Sequence, residues 1–259
     1  MDRAGDRAGT DLNAGGGDSD EPGALRYSLV VPVYQEAANI GPYCRKAVAE
    51  LPAGYELLVC YDYDEDPTLR ALAELPGADR PVETRLVRNR LGRGVRYAIE
   101  AGMHAARAPV VVVSMVDLSD DFARVDEMVA RVEAGADVVC ASRYVKGGRQ
   151  VGGPRLKAWM SRLAGVSLHR LTGLPTHDPT NSFKAYRKTF LESTPIESTA
   201  GFCLALELSV KAHFGGGRVE EVPATWTGRS AGESRFRLWA WLPHYLRWYF
   251  WALRRRWLG

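Results

Sequence analysis

An α/β domain with a mostly parallel central sheet flanked by helices is the fold class this sequence predicts, and three observations carry the prediction. Short runs rich in β-branched residues recur along the chain, helix-like spacing of apolar residues fills the stretches between them, and the runs are apolar on both faces. A length of 259 residues with 46% apolar and 10% aromatic composition suffices for one such domain with a real core.

The chain opens on residues 1–24, which are rich in Gly, Asp and Ala and lack the apolar stretch of a signal peptide, so a disordered leader is expected there. Tyr27 to Val33 then reads as a strand and Glu36 to Leu51 as a helix. Tyr55 to Tyr61, Glu83 to Val87, Pro109 to Ser114 and Ala136 to Ala141 repeat the strand pattern, each followed by a helix-like segment. This places one domain over residues 25–235 and leaves 236–259 as a separate C-terminal helical segment.

Net charge is only +3, but it is unevenly spread: residues 1–23 hold six acids against Arg3 and Arg7, whereas residues 229–259 hold seven Arg against Glu233. Cys44, Cys60, Cys140 and Cys203 are far apart, with no pair at the short spacing of a zinc or thioredoxin-like site. A reducing, cytoplasmic setting is the simpler expectation, and nucleic acid is not expected as a partner.

In parallel sheets ligands bind beyond the carboxyl ends of the strands. Those ends are polar here: Tyr34-Gln35-Glu36, Asp62-Tyr63-Asp64-Glu65-Asp66, Asp117-Leu118-Ser119-Asp120-Asp121 and Ser142-Arg143-Tyr144. Carboxylates gathered at one cleft call for a hard cation, magnesium or manganese bridging to a diphosphate. The alternative is that such residues are turn formers and helix N-caps, which is the simpler account of Asp66 and Asp121.

Val30-Val31-Pro32-Val33-Tyr34-Gln35-Glu36, Met115-Val116-Asp117-Leu118-Ser119 and Ser142-Arg143-Tyr144-Val145-Lys146-Gly147-Gly148 together resemble glycosyltransferase family 2. The likeness covers residues 27 to 236 and is greatest to the dolichyl-phosphate or polyprenyl-phosphate mannose synthase branch. It implies a GT-A, Rossmann-like fold, with Pro32, Tyr34 and Glu36 lining the base and ribose of a nucleotide. Asp62 falls where the family's Asp-Asp pair meets the base, although its first member is Tyr61 here. Arg90 to Gly94 is similar to an Asn-x-Gly-Lys-Gly segment, whose two Gly read equally well as a plain turn.

Met115 stands where the family has the first Asp of Asp-x-Asp, and a soft thioether is a poor ligand for magnesium or manganese. Asp117 is then the metal ligand, with Asp120, Asp64 or the diphosphate itself to complete the set. The resemblance further gives Arg143, with Arg155 and Arg162 on a following helix, to the acceptor phosphate, a task suited to the planar guanidinium fork. Arg155 and Arg162 read equally as a solvated helix face.

His177-Asp178-Pro179-Thr180-Asn181-Ser182-Phe183-Lys184 resembles the family's acceptor-side motif. Asp178 is its carboxylate, either a general base or, for an anionic acceptor that needs none, a residue that orients the acceptor or Arg143. Arg229-Ser230-Ala231-Gly232-Glu233-Ser234-Arg235 resembles a loop that clamps the diphosphate through Arg229 and Arg235.

What the resemblance implies is an inverting transfer of a sugar from a nucleoside-diphosphate sugar, GDP-mannose first, to a polyprenyl phosphate, with catalysis by Asp117, Arg143 and Asp178. The alternatives are a glycosyltransferase acting on a hydroxyl of a small metabolite or glycan, and a non-catalytic sugar-nucleotide-binding relative.

Residues 236–259 contain five of the seven Trp and are interrupted by Pro243, His244 and Arg247, a poor bilayer span. At helical spacing Arg237, His244, Arg247, Arg254 and Arg255 share one side and the aromatics the other. A peripheral helix in the membrane interface is expected. The competing arrangement packs these aromatics on the domain or on a second copy of the chain.

Overall fold

The five apolar runs all become strands of one sheet. A computed structural model of the protein describes residues 25–229 and 238–259. The leader 1–24 and the clamp segment beyond Arg229, Arg235 and Arg237 among it, lie outside the described residues.

Strands β1 (Tyr27–Pro32), β2 (Tyr55–Tyr61), β3 (Thr84–Arg88), β4 (Val110–Val113) and β5 (Val138–Ser142) match the expected runs to within two residues at each end. Every residue of β1, β4 and β5 is buried, which is why these runs read as apolar on both faces. Short β6 (Arg149–Val151) lies outside this sheet, whereas β7 (Lys184–Arg187) and β8 (Val219–Pro223) join it in the order β3-β2-β1-β4-β7-β5-β8. β9 (Thr225–Thr227) pairs with β6 in a separate parallel ribbon.

Chain order explains the position of the cleft. From β1 the chain winds outward through α1 (Ala37–Glu50), β2, α2 (Pro67–Ala73) and β3, then returns through α3 (Val95–Ala105) to β4 on the other side of β1. The carboxyl ends of β1 and β4 therefore diverge, opening the crevice where such sheets bind ligands. After α4 (Val125–Glu133) and β5, the strand β7 runs antiparallel to both of its neighbours. Its amino end, and the 177–183 segment leading into it, consequently sits at the same edge as the carboxyl ends of β4 and β5.

Helices α1 and α4 cover one face of the sheet and α3 and α7 (Cys203–Phe214) the other. α7 buries apolar residues on two faces: Leu204, Leu208 and Ala212 face the sheet, while Cys203, Leu206 and Val210 face a third core. That core is closed by Leu168 of α5 (Arg155–Thr172) and by Trp248 and Ala252 of α8 (Leu238–Leu258), while α6 (Lys188–Ser193) packs Phe190 and Leu191 on the α3 and α7 side of the sheet. The expected C-terminal helix is thus present, but it packs on the domain along one face instead of standing apart.

Candidate active site

A cleft of about 1720 Å³ follows the carboxyl edge of the sheet, and it is polar at one end and apolar at the other. Pro32 at the end of β1, Tyr34 and Glu36 beyond it, Asp62 beyond β2, and Met115 and Asp117 beyond β4 line the polar end, so these expected residues do converge. The first loop is held in an uncommon conformation, with Gln35 at φ 55°. Asp66 accounts for this, because its carboxylate accepts from the Gln35 N–H at 2.9 Å while also capping α2 through the Thr68 N–H at 2.9 Å. Its N-cap role, signalled by Asp-Pro-Thr, is therefore combined with support of the cleft wall.

Asp62 is engaged at both oxygens, by Asn89 Nδ2 at 2.7 Å and the Gly94 N–H at 2.9 Å, which fixes the amino end of α3 against the cleft. Glu36 accepts from Asn39 Nδ2 at 2.6 Å and from Arg229, so the described start of the clamp segment rests on the first loop.

Among the described residues the carboxylates beyond β2 and β4 do not form the expected metal-holding cluster. Asp117 Oδ1 accepts from Ser119 N–H at 3.2 Å and Ser119 Oγ at 2.6 Å on the cleft wall. Asp64 instead pairs with Arg88, and Asp121 accepts from the Thr225 N–H at 3.0 Å without capping a helix. Asp120 is buried, accepting from Ser114 Oγ at 3.0 Å and the Met115 N–H at 2.8 Å. Among the described residues no three of His, Cys, Asp and Glu are grouped to hold a metal. Asp117 is thus the carboxylate beyond β4 that lines the cleft.

Burial pushes the Asp120 carboxyl up to about 7, reinforced by the nearby Asp117 charge and opposed by its two hydrogen bonds. A carboxyl raised above its unfolded value favours the protonated fold, so its contribution to stability is complete below the unfolded value of 3.8 and is lost as pH rises through 7. Asp120→Asn keeps an oxygen for both donors and removes the charge. It is expected to be more stable than wild type at pH 8, by up to about 4 kcal/mol, and equal to it near pH 4. Denaturant midpoints at the two values check this; an unchanged difference between them refutes it.

At the middle of the cleft, Arg143 beyond β5 meets Asp178. Arg143 Nε donates to Asp178 Oδ2 at 2.6 Å and Nη2 to Oδ1 at 2.9 Å, and the Arg143 N–H adds a third bond at 3.1 Å. Nη2 also donates to Ser161 Oγ at 3.0 Å, and Nη1 is directed to Gln150 Oε1 at 3.5 Å. Burial alone would lower the guanidinium, but Asp178 overrides it and keeps Arg143 charged. Asp178 is itself fully buried, is not on the cleft wall and accepts from Arg143 at both oxygens, an arrangement that suits orienting Arg143.

α5 supplies a different cation from those expected. Arg155 and Arg162 are exposed and do not line the cleft, whereas Lys157 does. The phase of the helix is set by Gly165, where an added Cβ would come within 2.1 Å of the His177 carbonyl oxygen. That contact turns Lys157 and Ser161 inward and Arg155 and Arg162 outward. Burial, together with the Arg143 charge, pulls the Lys157 ammonium down to about 8 against the opposing influence of Asp117. His177, next to Asp178, is tied away from the cleft by Glu221 at 2.6 Å and stacks on His169.

Beyond Arg143 the cleft becomes a groove between α5 and α8, lined by Leu156, Trp159, Leu163, Trp241, Leu242 and Leu246. It opens on a surface where Trp159 is 62% and Leu246 40% exposed.

The model for glycosyl transferase family 2 matches residues 28–194. The dolichol-phosphate mannosyltransferase of Pyrococcus furiosus is 27% identical over 82% of this chain, which spans 60% of that protein's length. The polyprenol monophosphomannose synthase of Mycolicibacterium smegmatis is 29% identical over 85% of each chain. Among solved structures, glucosyl-3-phosphoglycerate synthase from Mycobacterium tuberculosis in complex with Mn2+, uridine diphosphate and glucosyl-3-phosphoglycerate superposes with a TM-score of 0.60 at 19% identity, over 89% of this chain and 79% of that one. The last likeness establishes a shared fold.

Proposed function

Because the chain belongs to glycosyl transferase family 2, we propose that it moves a sugar from a nucleoside-diphosphate sugar to a polyprenyl phosphate with inversion at the anomeric carbon. The observation that carries this reading is the two-ended cleft: carboxylates and backbone loops at the nucleotide end, an apolar groove at the other, and Arg143 with Lys157 where they meet. A lipid phosphate fits that order, with its anion on the two cations and its chain in the groove between α5 and α8.

The step is a single displacement. A phosphate oxygen of the acceptor forms the new bond to the anomeric carbon as the bond from that carbon to the diphosphate oxygen breaks, and the electron pair leaves with the nucleoside diphosphate. The attacking oxygen is already anionic, so no base is required. Arg143 orients the acceptor, and Asp178 and Ser161 hold the guanidinium in place. Arg229 moves from Glu36 to the diphosphate when the donor enters, and Arg235 joins it there to stabilise charge on the leaving group. GDP-mannose is the first donor to try, then UDP-glucose and UDP-N-acetylhexosamines.

With Asp117 as the carboxylate beyond β4 on its wall, the cleft fits a magnesium or manganese ion when the diphosphate brings the remaining ligands, Asp117 being the protein's share. Such an ion would supply neutralisation of the leaving diphosphate. Manganese is therefore expected to bind the chain weakly by itself and at least about tenfold more tightly with nucleoside diphosphate present. Asp117→Ala is expected to abolish that enhancement and Met115→Asp to strengthen binding of manganese alone; calorimetry with and without GDP or UDP checks both. Enhancement retained in Asp117→Ala would refute the assignment.

The overall reading is tested by incubating purified protein with a polyprenyl phosphate and a panel of sugar nucleotides. A lipid-linked sugar detected by mass spectrometry is the expected result. Tight nucleotide binding with no product on any acceptor would instead favour a non-catalytic relative. The exposed apolar mouth of the groove further supports peripheral docking on a membrane, and among the described residues no helix is long and apolar enough to cross one.

A further inference from the structure

We propose that Trp226 is the platform on which the transferred sugar rests, its indole face taking the C–H face of a hexose carried by the nucleoside diphosphate. This rests on the donor half of the reading above and adds a residue to it.

Trp226 is the central residue of β9, half-buried, and lines the cleft. Both of its neighbours are tied to the turn beyond β4. The Thr225 N–H donates to Asp121 Oδ2 at 3.0 Å and the Thr227 N–H to the Ser119 carbonyl at 3.1 Å, so the strand is fixed against the Asp117 side of the cleft. On its other edge the register of the ribbon sets Trp226 opposite Gln150. Gln150 in turn reaches Arg143 Nη1 at 3.5 Å and accepts from the Tyr144 hydroxyl at 3.2 Å.

The strand that carries Trp226 is therefore tied on one edge to the turn that bears Asp117, at the diphosphate end, and on the other, through Gln150, to Arg143, at the acceptor end. In a displacement the anomeric carbon lies between the leaving and attacking oxygens, so the hexose ring has to occupy this interval. The ribbon is shaped to hold the ring there. Gly153 packs against the six-membered part of the indole, and an added Cβ would come within 3.0 Å of Trp226 Cζ3. Glycine at 153 thus lets backbone approach the Cζ3–Cη2 edge of the indole closely and fixes its place in the ribbon, while Trp226 lines the cleft. A flat π face suits the axial C–H groups of a pyranose, which meet aromatic rings through dispersion and weak C–H contacts. It would also hold the ring against rotation without committing a charged group near the anomeric carbon.

The test compares each nucleoside diphosphate with its sugar-bearing form, GDP with GDP-mannose and UDP with UDP-glucose, by calorimetry on the full chain. Trp226→Leu, which keeps apolar bulk and loses the ring, is expected to weaken the sugar nucleotide by about tenfold while the bare diphosphate changes less than about twofold. Trp226→Phe is expected to stay within about threefold of wild type for both. Equal weakening of both ligands in Trp226→Leu, or no change in either, overturns the platform. The donor reading is judged on wild type alone: binding of a sugar nucleotide there upholds it whichever way Trp226→Leu behaves, and wild type that binds none overturns both.

Discussion

Arg143→Ala is expected to lower kcat by about 10²–10³-fold, the cost of removing one preorganised charge from a displacement, while the affinity for nucleoside diphosphate changes less than about threefold. The assignment follows from position, since Arg143 lies in the middle of the cleft beside Lys157 and away from the loop beyond β1 that carries Tyr34 and Glu36. A second consequence follows from burial. Arg143 is 9% exposed and Asp178 not at all, so the substitution strands a carboxylate in the interior, at a cost of about 3–5 kcal/mol in stability. Arg143→Ala with Asp178→Asn removes the stranded charge. That pair should recover most of the lost stability and none of the turnover, which separates the two roles of the arginine. Equal loss of nucleotide affinity and turnover in Arg143→Ala would move it to the donor side.

Much of this site could be read from the chain because its pieces follow strands whose apolar runs are unmistakable. The carboxyl ends of β1, β2, β4 and β5 bring Tyr34, Asp62, Asp117 and Arg143 to one edge in any parallel sheet. What stayed hidden depended on contacts between distant segments. Lys184–Arg187 is only four residues, Lys-Ala-Tyr-Arg, with no apolar run to announce a central strand. Its antiparallel course is what turns Asp178 from a cleft residue into the buried partner of Arg143.

Lys157 was missed for a related reason. Arg155 and Arg162 carry the stronger cations on the same helix, and which side faces the cleft is decided by the fit of Gly165 under the His177 carbonyl. Seven residues separate Arg155 from Arg162, two turns of helix, so both point the same way, and that way is outward. Within the acidic clusters, Asp66 caps α2 as its position signals, whereas Asp120, offered as a further metal ligand, is buried and holds the Met115 N–H in place.

The C-terminal helix packs on the domain along one face and leaves the other exposed, and the two faces of α8 should respond to substitution in opposite ways. Trp248 is 1% exposed and donates to Ser198 Oγ at 2.9 Å, inside the core that Leu168, Leu206 and Val210 share. Trp248→Ala is expected to cost about 3–5 kcal/mol in stability. For the same reason, removing α8 outright would uncover that core, so truncation confounds docking with unfolding. At helical spacing Trp239, Leu246, Phe250 and Trp257 form a stripe on the opposite face, at exposures from 40% to 73%. Arg247 and Arg254 run along one side of it. Apolar and aromatic residues bordered by arginines, beside the open mouth of the groove, match a headgroup layer carrying anionic lipid. Full-length protein is therefore expected to sediment with vesicles containing phosphatidylglycerol, less so in high salt as the arginines are screened. Trp239→Ser with Phe250→Ser should weaken vesicle binding by at least about tenfold while shifting the unfolding midpoint little, since both side chains already face solvent. The same variant should keep its rate on a short, water-soluble prenyl phosphate and lose it on a long-chain acceptor held in vesicles. Wild-type vesicle binding in the double variant would place the membrane contact elsewhere on the molecule.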